Sequence, residues 1–530
     1  MLFTSYIFFE FLIVLVLLYY LVPVKWQWKL LLAASYLFYF YANPIYCIYI
    51  FITTVTTWYA GCRIQSIREK QKNFLQEQKD LLNKEEKKRY KAVMKHKTWL
   101  WTLACLIFNI GVLAVVKYTN FCISNANLFL DAVGSTKQLN FLNIIVPLGI
   151  SFYTFQAMGY IIDVYRKSVT AEKNIFKFAL FVSFFPQLIQ GPISRFKDLS
   201  QTLFSEHRFN IHTISLGLQR ILWGYFKKLV IADRILIGLK TLTQNPEIYS
   251  GAYVFVEILF YAFQLYADFT GGIDITIGVA QMLGIHVTEN FKRPFFSKNI
   301  KEYWKRWHIT MSLWFKDYIF YPITVCRPML KLSKSSRKYL GETIGQRVPI
   351  YLSSFAVWFA TGIWHGASWN FIVWGLGNWI VIMISQELEP LYAKFHNKFH
   401  IKEKSGYRLF EVLRTVFLVS SLNLLDIYPN VALTFGMFGS MFTASNWHIL
   451  FDGALLQIGL SITDYIILVF GLIVLLCVSL LQRKGSVREQ IAKLPYWGKF
   501  VLWYGLFLIV LLTGIYGIGY DASQFIYNQF

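Results

Sequence analysis

The sequence has little charge for its length. Only 15% of its 530 residues are Asp, Glu, Lys or Arg, whereas 56% are hydrophobic. Single soluble cores stop growing well below this size, so one core cannot hide that many apolar side chains. The composition therefore excludes a single soluble domain and predicts an all-α, polytopic integral membrane protein. We expect about 11–13 membrane segments, some of them re-entrant or partial helices, around a central cavity.

Cysteine is also scarce, with six residues in the whole chain and no CxxC pair. Most of the six lie in apolar segments, where cysteine is more often a small packing residue than a ligand. The sequence also lacks the HExxH, GxSxG, GxGxxG and GxxxxGK[ST] patterns. These absences argue against a metal centre, a serine-hydrolase elbow, a nucleotide-phosphate loop and any tightly bound cofactor.

The formal charge of +23 has two possible explanations, nucleic-acid binding or membrane topology. The lysines and arginines cluster in short segments between apolar runs, which is the positive-inside pattern. We therefore predict membrane lipids and not nucleic acid as partner. The basic run 63–97 is expected to be a cytoplasmic loop, and counting passes from it places both termini outside the cytoplasm. The expected location is a cell membrane.

Apolar runs divide the chain into a core and a C-terminal addition. The first passes are predicted at 2–22, at 30–50 with a break at Asn43-Pro44, and at 51–62. Residues 1–425 are expected to form the membrane core, with its most characteristic region at about 140–380. Residues 426–530 are expected to add transmembrane helices and an aromatic tail.

Two histidines stand in apolar, tryptophan-rich surroundings, where an ionisable group is costly to bury. One lies in Trp304-Lys-Arg-Trp-His308-Ile-Thr-Met-Ser312 and the other in Thr361-Gly-Ile-Trp-His365-Gly-Ala-Ser-Trp-Asn370. Written as a helix, His308 shares a face with Ser312. Gly362 and Gly366 frame His365, and their GxxxG spacing lets a neighbouring helix or a substrate approach the backbone.

A second polar island contains Asp268 and Asp274. Paired carboxylates could serve in acid–base chemistry, but we favour a structural role in buried ion pairs. The expected basic partners are nearby in the sequence: Lys292, Arg293, Lys305 and Arg306.

These segments resemble the membrane-bound O-acyltransferase superfamily, and in detail its bacterial branch. That branch contains the alginate O-acetyltransferase membrane protein, the D-alanyl lipoteichoic acid transferase and the peptidoglycan O-acetyltransferase. The matching motifs keep the family order from residue 150 to residue 370: Ile150-Ser-Phe-Tyr-Thr-Phe-Gln-Ala157, Asp163-Val-Tyr-Arg166, Phe185-Pro-Gln-Leu-Ile-Gln-Gly-Pro192, Phe226-Lys-Lys-Leu-Val-Ile-Ala-Asp-Arg234, Tyr266-Ala-Asp-Phe-Thr-Gly-Gly-Ile-Asp274 and the two histidine segments.

The resemblance implies that His365 is the principal catalytic histidine and His308 the second one. A desolvated, neutral imidazole can take a proton from a hydroxyl that attacks an acyl thioester. His365 is the expected base or transient acyl carrier, while His308 would orient the acceptor, share the proton or stabilise the oxyanion. Further side chains could line or support the cavity: Asn290, Arg293, Trp304, Asp317, Ser368, Asn370, Asp268 and Asp274.

The resemblance also implies substrates and a partner. The donor would be a cytoplasmic thioester, acetyl-CoA or a carrier-protein thioester, and the acceptor a cell-surface polysaccharide. An esterase-like acyltransferase outside the cytoplasm is the expected partner. The C-terminal Phe525-Ile-Tyr527-Asn-Gln-Phe530 resembles an aromatic motif whose tyrosine relays the acyl group, although an interfacial aromatic belt explains the same residues.

Two other functions fit the composition. A transporter or channel also has many apolar helices with buried charge. The paired histidine motifs, and the lack of an obvious internal repeat, favour the enzyme. An acyltransferase that acts on a lipid, a teichoic acid or a protein is the alternative within the enzyme class.

Overall fold

A computed structural model describes residues 2–517 and residue 520. Among these residues it contains α-helices, short 3₁₀ and π-helical turns, and no β-strand, which confirms the predicted all-α class. The chain forms two compact units. Unit 1 comprises Met1–Ile214 and Ala280–Val287, and unit 2 comprises Ser215–Val279 and Thr288–Phe530. The boundary predicted at residue 425 falls inside unit 2.

Unit 1 is built around three long helices, α3, α4 and α5, which pack against one another. Shorter apolar helices cover them, and buried rings of Tyr160, Phe178, Phe181 and Phe196 form part of the core. The helices of this unit are α1 Tyr6–Leu21, α2 Gln27–Ala42, α3 Tyr46–Glu77, α4 Lys84–Ala132, α5 Ile150–Arg166, α6 Ile175–Ser183, α7 Phe185–Gln190 and α8 Phe196–Leu203.

The predicted break at Asn43-Pro44 is confirmed, since α2 ends at Ala42 and α3 begins at Tyr46. The predicted division between passes at residues 50 and 51 is wrong. Nothing in Tyr46–Glu77 breaks a helix: the segment lacks proline, and its single glycine, Gly61, lies against the Tyr160 ring.

The basic run 63–97 is a helical hairpin rather than an open loop. The last part of α3 and the first part of α4 form its two arms, and Phe74 stacks on Tyr90 with ring centroids 4.2 Å apart. Asn83 begins α4 with a capping box, because its side chain accepts from the Glu86 N–H while the Glu86 carboxylate accepts from the Asn83 N–H. The helix-favouring Lys, Glu and Gln residues of this run therefore lie on exposed helical arms.

Unit 2 holds most of the ninth and eleventh helices and all of the tenth and the twelfth to last. A π-helical segment, Phe226–Ala232, joins α9 to α10. The helices are α9 Ile211–Tyr225, α10 Asp233–Gln244, α11 Ala252–Met282, α12 Ile300–Arg306, α13 Ile309–Phe315, α14 Tyr321–Thr324, α15 Arg327–Gly345, α16 Arg347–His365, α17 Trp369–Glu387, α18 Glu389–Phe399, α19 Ser405–Leu422, α20 Val431–Thr443, α21 Ile462–Leu481, α22 Val487–Ala492 and α23 Tyr496–Thr513.

Several of these helices suit a bilayer. Within the described residues, four are long and apolar enough to cross a membrane: α4, α11, α21 extended to Lys484, and α23. The bent pair α17 and α18, with an angle of 49°, could supply a fifth. Side chains such as Leu512, which is 77% exposed, leave the outer face of α23 apolar. Apolar outer faces of this kind are those of a membrane protein.

Candidate active site

His365 is the last residue of α16, where the helix ends at Gly366. Two glycines allow α17 to approach α16 closely at this end. A Cβ on Gly362 would lie 2.5 Å from the Phe371 carbonyl oxygen, and one on Gly375 would lie 2.4 Å from the Trp358 carbonyl oxygen. The close helix approach predicted from the glycine spacing is therefore confirmed, and α17 is the element that makes it.

Aromatic rings surround the His365 imidazole. Its ring centroid lies 4.5 Å from that of Trp374, 5.0 Å from that of Trp364 and 6.2 Å from that of Phe371. A Cβ at Gly366 would lie 2.2 Å from the Phe371 ring, so only glycine fits next to the histidine here. The imidazole is thus held in apolar surroundings without being completely buried.

A small cavity in unit 2 opens beside His365. The space open to the centre of a water molecule is about 20 Å³, enough for roughly one small polar group. Its lining includes an imidazole, an amide and a carboxyl group, which belong to His365, Asn423 and Asp426. The remaining lining residues are Tyr261, Leu265, Tyr303, Trp304, Trp307 and Trp374.

His308 lies immediately before α13 and is fully buried. Its φ of 45° is in the left-handed region, which a non-glycine residue adopts at a cost of about 1 kcal/mol or more. Such conformations persist where the surrounding structure holds them, and they cluster at functional sites. Burial lowers the pKa of His308 to about 3, so this imidazole, in a turn outside the candidate membrane spans, is neutral.

The predicted helical face that joined His308 to Ser312 is wrong, because α13 begins only at Ile309. The left-handed turn at His308 interrupts the helical path, and sequence periodicity does not reveal such a turn. The Ser312 hydroxyl instead donates to the Trp304 carbonyl oxygen at 3.0 Å.

Trp364 is the structural link between the two histidines. Its ring centroid is 6.0 Å from that of His308 and 5.0 Å from that of His365, with near-perpendicular rings in both pairs. His308 also packs edge-on against Phe269 at 5.0 Å. Among the described residues that line the cavity, His365 is present and His308 is not.

Two amides fix the tryptophans of the cavity wall. The indole N–H of Trp304 donates to Asn378 Oδ1 at 3.2 Å, and that of Trp374 donates to Asn423 Oδ1 at 2.9 Å. The Asn378 amide donates in turn to the Trp374 carbonyl oxygen at 2.9 Å. Both indole N–H groups are thereby satisfied away from water, which locks the rings against His365.

Asn370 lies near the histidine segment in sequence, but it holds a different part of the chain. Its Nδ2 donates to the carbonyl oxygens of Leu425 and Tyr428, at 3.1 and 2.7 Å. Asn370 thereby anchors the turn that follows α19. Ser368 begins α17, and its hydroxyl caps no N–H of that helix.

Arg293 and Asp317 occupy special backbone positions. Arg293 has a φ of 49°, and its carbonyl oxygen accepts from Arg306 Nη1 at 3.3 Å. Asp317 is half-buried in a π-helical turn, Lys316–Phe320. Their assignment as supporting residues stays a prediction.

Asp268 belongs to a buried ion cluster on α11. Lys228 Nζ, from the π-helical segment, lies 2.6 Å from Asp268 Oδ1 and 2.8 Å from Asp233 Oδ1. The side chains of Lys228 and Asp268 are 0% exposed. This cluster also reaches the end of the chain, because the Tyr520 hydroxyl donates to Asp233 Oδ2 at 2.9 Å.

Asp274 is paired two turns further along α11. Its carboxylate contacts Lys227 Nζ at 2.5 Å and Arg220 Nη2 at 2.8 Å. Both aspartates are thus in the ion pairs we favoured, but with different partners. The basic residues that we predicted as partners were Lys292, Arg293, Lys305 and Arg306. The π-helical turn directs Lys227 and Lys228 inward, and no sequence periodicity shows this geometry.

Across residues 2–517 and 520, no group of three or more His, Cys, Asp or Glu side chains is arranged to hold a metal ion.

The proposed relay residue, Tyr527, lies outside the described residues.

Asn423 and Asp426 are among the cavity residues that were not predicted from the sequence. They lie more than 50 residues after His365, in a segment that matches no motif used above. An amide and a carboxyl group at the end of the apolar run 409–425 were the only available signal.

Comparison with known proteins shows which family the chain resembles. The family model described as "MBOAT, membrane-bound O-acyltransferase family" matches residues 167–425. The probable alginate O-acetylases AlgI of Pseudomonas syringae pv. tomato and Azotobacter vinelandii are 33% and 32% identical to the chain, over 387 and 386 residues. Each match covers 72% of this chain, and 66% and 68% of the respective relative.

A peptidoglycan O-acetyltransferase of Helicobacter pylori is 31% identical over 323 residues, 56% of this chain and 57% of that protein. The chain thus spans about two thirds of the length of the alginate O-acetylases that it matches. The bacterial branch expected from the sequence motifs is confirmed by these relatives. The chain belongs to the membrane-bound O-acyltransferase family.

Proposed function

We propose that this membrane O-acyltransferase moves an acyl group, acetyl in the first instance, from a cytoplasmic thioester such as acetyl-CoA to a cell-surface polysaccharide. The observation that carries the proposal is the position of His365, at a helix end and on the wall of a cavity otherwise formed mainly by aromatic rings. Relatives named as alginate and peptidoglycan O-acetyltransferases support acetyl as the group and a polysaccharide as the acceptor.

His365 acts as the general base in this proposal. It takes the proton of the acceptor hydroxyl while the hydroxyl oxygen forms a bond to the thioester carbonyl carbon. The carbonyl π electrons move to oxygen, and collapse of this tetrahedral intermediate breaks the carbon–sulfur bond. The leaving thiolate takes the proton from the imidazolium. The products are an ester and a free thiol, and His365 returns to its neutral form.

His308 has a positioning role in the proposal. It is fully buried, and its edge-on contact with Trp364 leaves that ring between it and His365. A neutral imidazole there fixes the Trp364 ring, and through it the orientation of His365. Asn290 supports His308 by holding the backbone that follows it.

The direction of transfer follows from the proposed topology. The exposed basic hairpin formed by α3 and α4 lies on the cytoplasmic side by the positive-inside rule, with both chain termini on the other side. The donor thioester enters from the cytoplasm. The acceptor, or an esterase-like acyltransferase that passes the acyl group on, meets the protein outside, and Tyr527 is the candidate relay in the tail.

The test is acyl transfer by the full chain in membrane vesicles supplied with radiolabelled acetyl-CoA. We measure release of CoA thiol and label in the polysaccharide, at matched membrane abundance. His365→Ala should lower transfer by about 10²–10⁴-fold, the usual contribution of a general base. His308→Ala should lower it less, and His448→Ala, whose imidazole is exposed, should not change it. Full activity of His365→Ala would refute the proposal, as would movement of a solute with no thiol release.

A further inference from the structure

Two polar side chains on the wall of the His365 cavity have no role in the reaction as described so far. Asn423 and Asp426 both belong to the 3₁₀ turn Asn423–Asp426, between α19 and α20. A single turn thus brings an amide and a carboxyl to the same cavity as the proposed base.

This turn is firmly held. Asn370 donates to the carbonyl oxygens of Leu425 and Tyr428, and the buried side chains of Leu424 and Tyr428 pack with Val254 of α11. The Tyr428 hydroxyl also donates to the Glu257 carboxylate. Groups supported in this way are pre-organised, because they need not reorient when charge develops in a reaction.

The hydrogen bond from Trp374 fixes the orientation of the Asn423 amide. An indole N–H can only donate, so the Asn423 atom that it contacts at 2.9 Å must be the oxygen. The amide NH₂ is therefore directed away from Trp374. Asn423 lines the cavity, and its NH₂ group is the part of the amide that does not contact the Trp374 indole.

The Asp426 carboxyl is also asymmetric. Its Oδ2 accepts from the Tyr261 hydroxyl at 3.3 Å, whereas Oδ1 is buried and has no hydrogen-bond partner in the described part of the chain. Aromatic rings and Leu265 form most of the surrounding wall. Burial raises the pKa of Asp426, which lies in a turn outside the candidate spans, to about 7.

An isolated carboxyl in such surroundings favours its neutral form, because a buried charge without a partner is costly. With Oδ2 accepting from Tyr261, the proton belongs on Oδ1. The neutral acid then presents a buried O–H donor that lacks an acceptor in the described structure, and leaving such a donor without an acceptor is costly.

We propose that Asn423 and Asp426 form the oxyanion hole of the acyl transfer, with both donors directed at the thioester carbonyl oxygen. This inference rests on the proposed function. As the acceptor oxygen bonds to the carbonyl carbon, negative charge develops on the carbonyl oxygen, and the Asn423 N–H and Asp426 O–H hydrogen bonds strengthen. Asp426 keeps its proton throughout, and the proton cycle through His365 is unchanged.

Three variants separate this role from the alternatives. Asp426→Asn keeps the shape and a hydrogen-bond donor but removes the acid. Asp426→Leu removes donor and acceptor while retaining similar volume. Asn423→Asp keeps an oxygen for the Trp374 indole but loses the NH₂ donors. Asp452→Asn, an exposed change in unit 2, is the control.

The assay uses the full chain in lipid vesicles with acetyl-CoA as probe, and the readout is CoA thiol release after normalisation to folded protein by thermal unfolding. We expect Asp426→Leu and Asn423→Asp to lower the rate by about 10²–10³-fold, the cost of one oxyanion-hole donor. We expect Asp426→Asn to remain within about tenfold of the parent, because its amide still donates.

The outcomes are distinct. If Asp426→Asn loses as much activity as Asp426→Leu, Asp426 acts as a base or as a charged group, and the oxyanion-hole role is wrong. Parent-like rates in Asp426→Leu overturn it too, while His365→Ala remains inactive and the proposed function stands. If the parent protein releases no thiol above the His365→Ala background, the proposed function fails, and this inference fails with it.

Discussion

Thr310 donates two hydrogen bonds to one side-chain oxygen of Asn290. Its backbone N–H lies 3.0 Å from Asn290 Oδ1 and its hydroxyl 2.9 Å from the same atom. The Ile309 N–H donates to the Asn290 carbonyl oxygen at 2.9 Å. One buried residue thus fixes the two amides that follow His308, and so holds the left-handed backbone of that histidine.

We predict that Asn290→Ala lowers acyl transfer at least tenfold and destabilises the protein by about 1–3 kcal/mol, because buried donors lose their acceptor. Thiol release and thermal unfolding of the purified protein measure the two effects. Asn109→Ala removes a comparably buried amide from unit 1, where Nδ2 donates to the Cys105 carbonyl oxygen. It should lower stability alone. Equal activity loss in both variants would contradict a specific role for Asn290.

A second prediction concerns the contact between α16 and α17. Gly362→Ala would place a Cβ 2.5 Å from the Phe371 carbonyl oxygen, a backbone atom that cannot move aside cheaply. The helices must separate at the end that carries His365. We expect a cost of about 1–3 kcal/mol and a clear loss of activity.

The matched control is Gly436→Ala in α20, where nothing lies within 4 Å of the added Cβ. Alanine is the better helix former, by roughly 0.5–1 kcal/mol, so this variant should be neutral or stabilised. Thermal unfolding midpoints and rates of thiol release, measured at equal expression, compare Gly362→Ala with Gly436→Ala. The expectation is wrong if the two substitutions behave alike.

The third prediction contrasts a buried with an exposed ion pair. Lys228→Met leaves the carboxylates of Asp268 and Asp233 without their shared cation, in surroundings where both are buried. Breaking such a pair costs about 3–5 kcal/mol. Arg408→Met breaks an exposed pair with Glu403 and should cost at most about 1 kcal/mol. Thermal unfolding compares the two, and equal shifts would show that the Lys228 cluster is not a stabilising element.

Composition and the break at Asn43-Pro44 were enough to predict the helical membrane fold, because lipid-facing chains must satisfy their backbone internally. The course of α3 through residues 50 and 51 was not predictable in the same way, since a helix with no breaker carries no local sign of where the bilayer ends. The π-helical segment was also hidden. Its insertion turns Lys227 and Lys228 towards Asp274 and Asp268, which shifts the ion-pair partners.

The surroundings of His365 could be predicted from the sequence, whereas those of His308 and Asp426 could not. The tryptophan and glycine residues around His365 mark close packing in the sequence itself, and the structure places Trp374 and Gly375 against that helix end. The left-handed turn at His308 depends on Asn290, which lies 18 residues earlier. The cavity contribution of Asp426 depends on long-range packing of a turn, and spacing rules do not describe such contacts.

The final prediction concerns how the rate of acyl transfer depends on pH. If Asp426 donates as a neutral acid, its function is present below its pKa of about 7 and is lost as the pH rises through that value. The titratable groups that face it across the cavity are Tyr261 of α11, Tyr303 of α12 and His365 of α16. Loss of a proton from His365 acts in the opposite direction, because the base must be neutral to accept a proton.

We therefore expect a bell-shaped profile for the parent protein, with a rate that falls by about tenfold for each pH unit on the alkaline side. Asp426→Asn has no acid proton to lose, so its rate should rise with pH and then stay level. Initial rates of thiol release from acetyl-CoA, measured at pH values on both sides of the Asp426 pKa of about 7 and corrected for hydrolysis without protein, give both profiles. An alkaline limb that persists unchanged in Asp426→Asn would assign it to another group and remove the neutral acid from the mechanism.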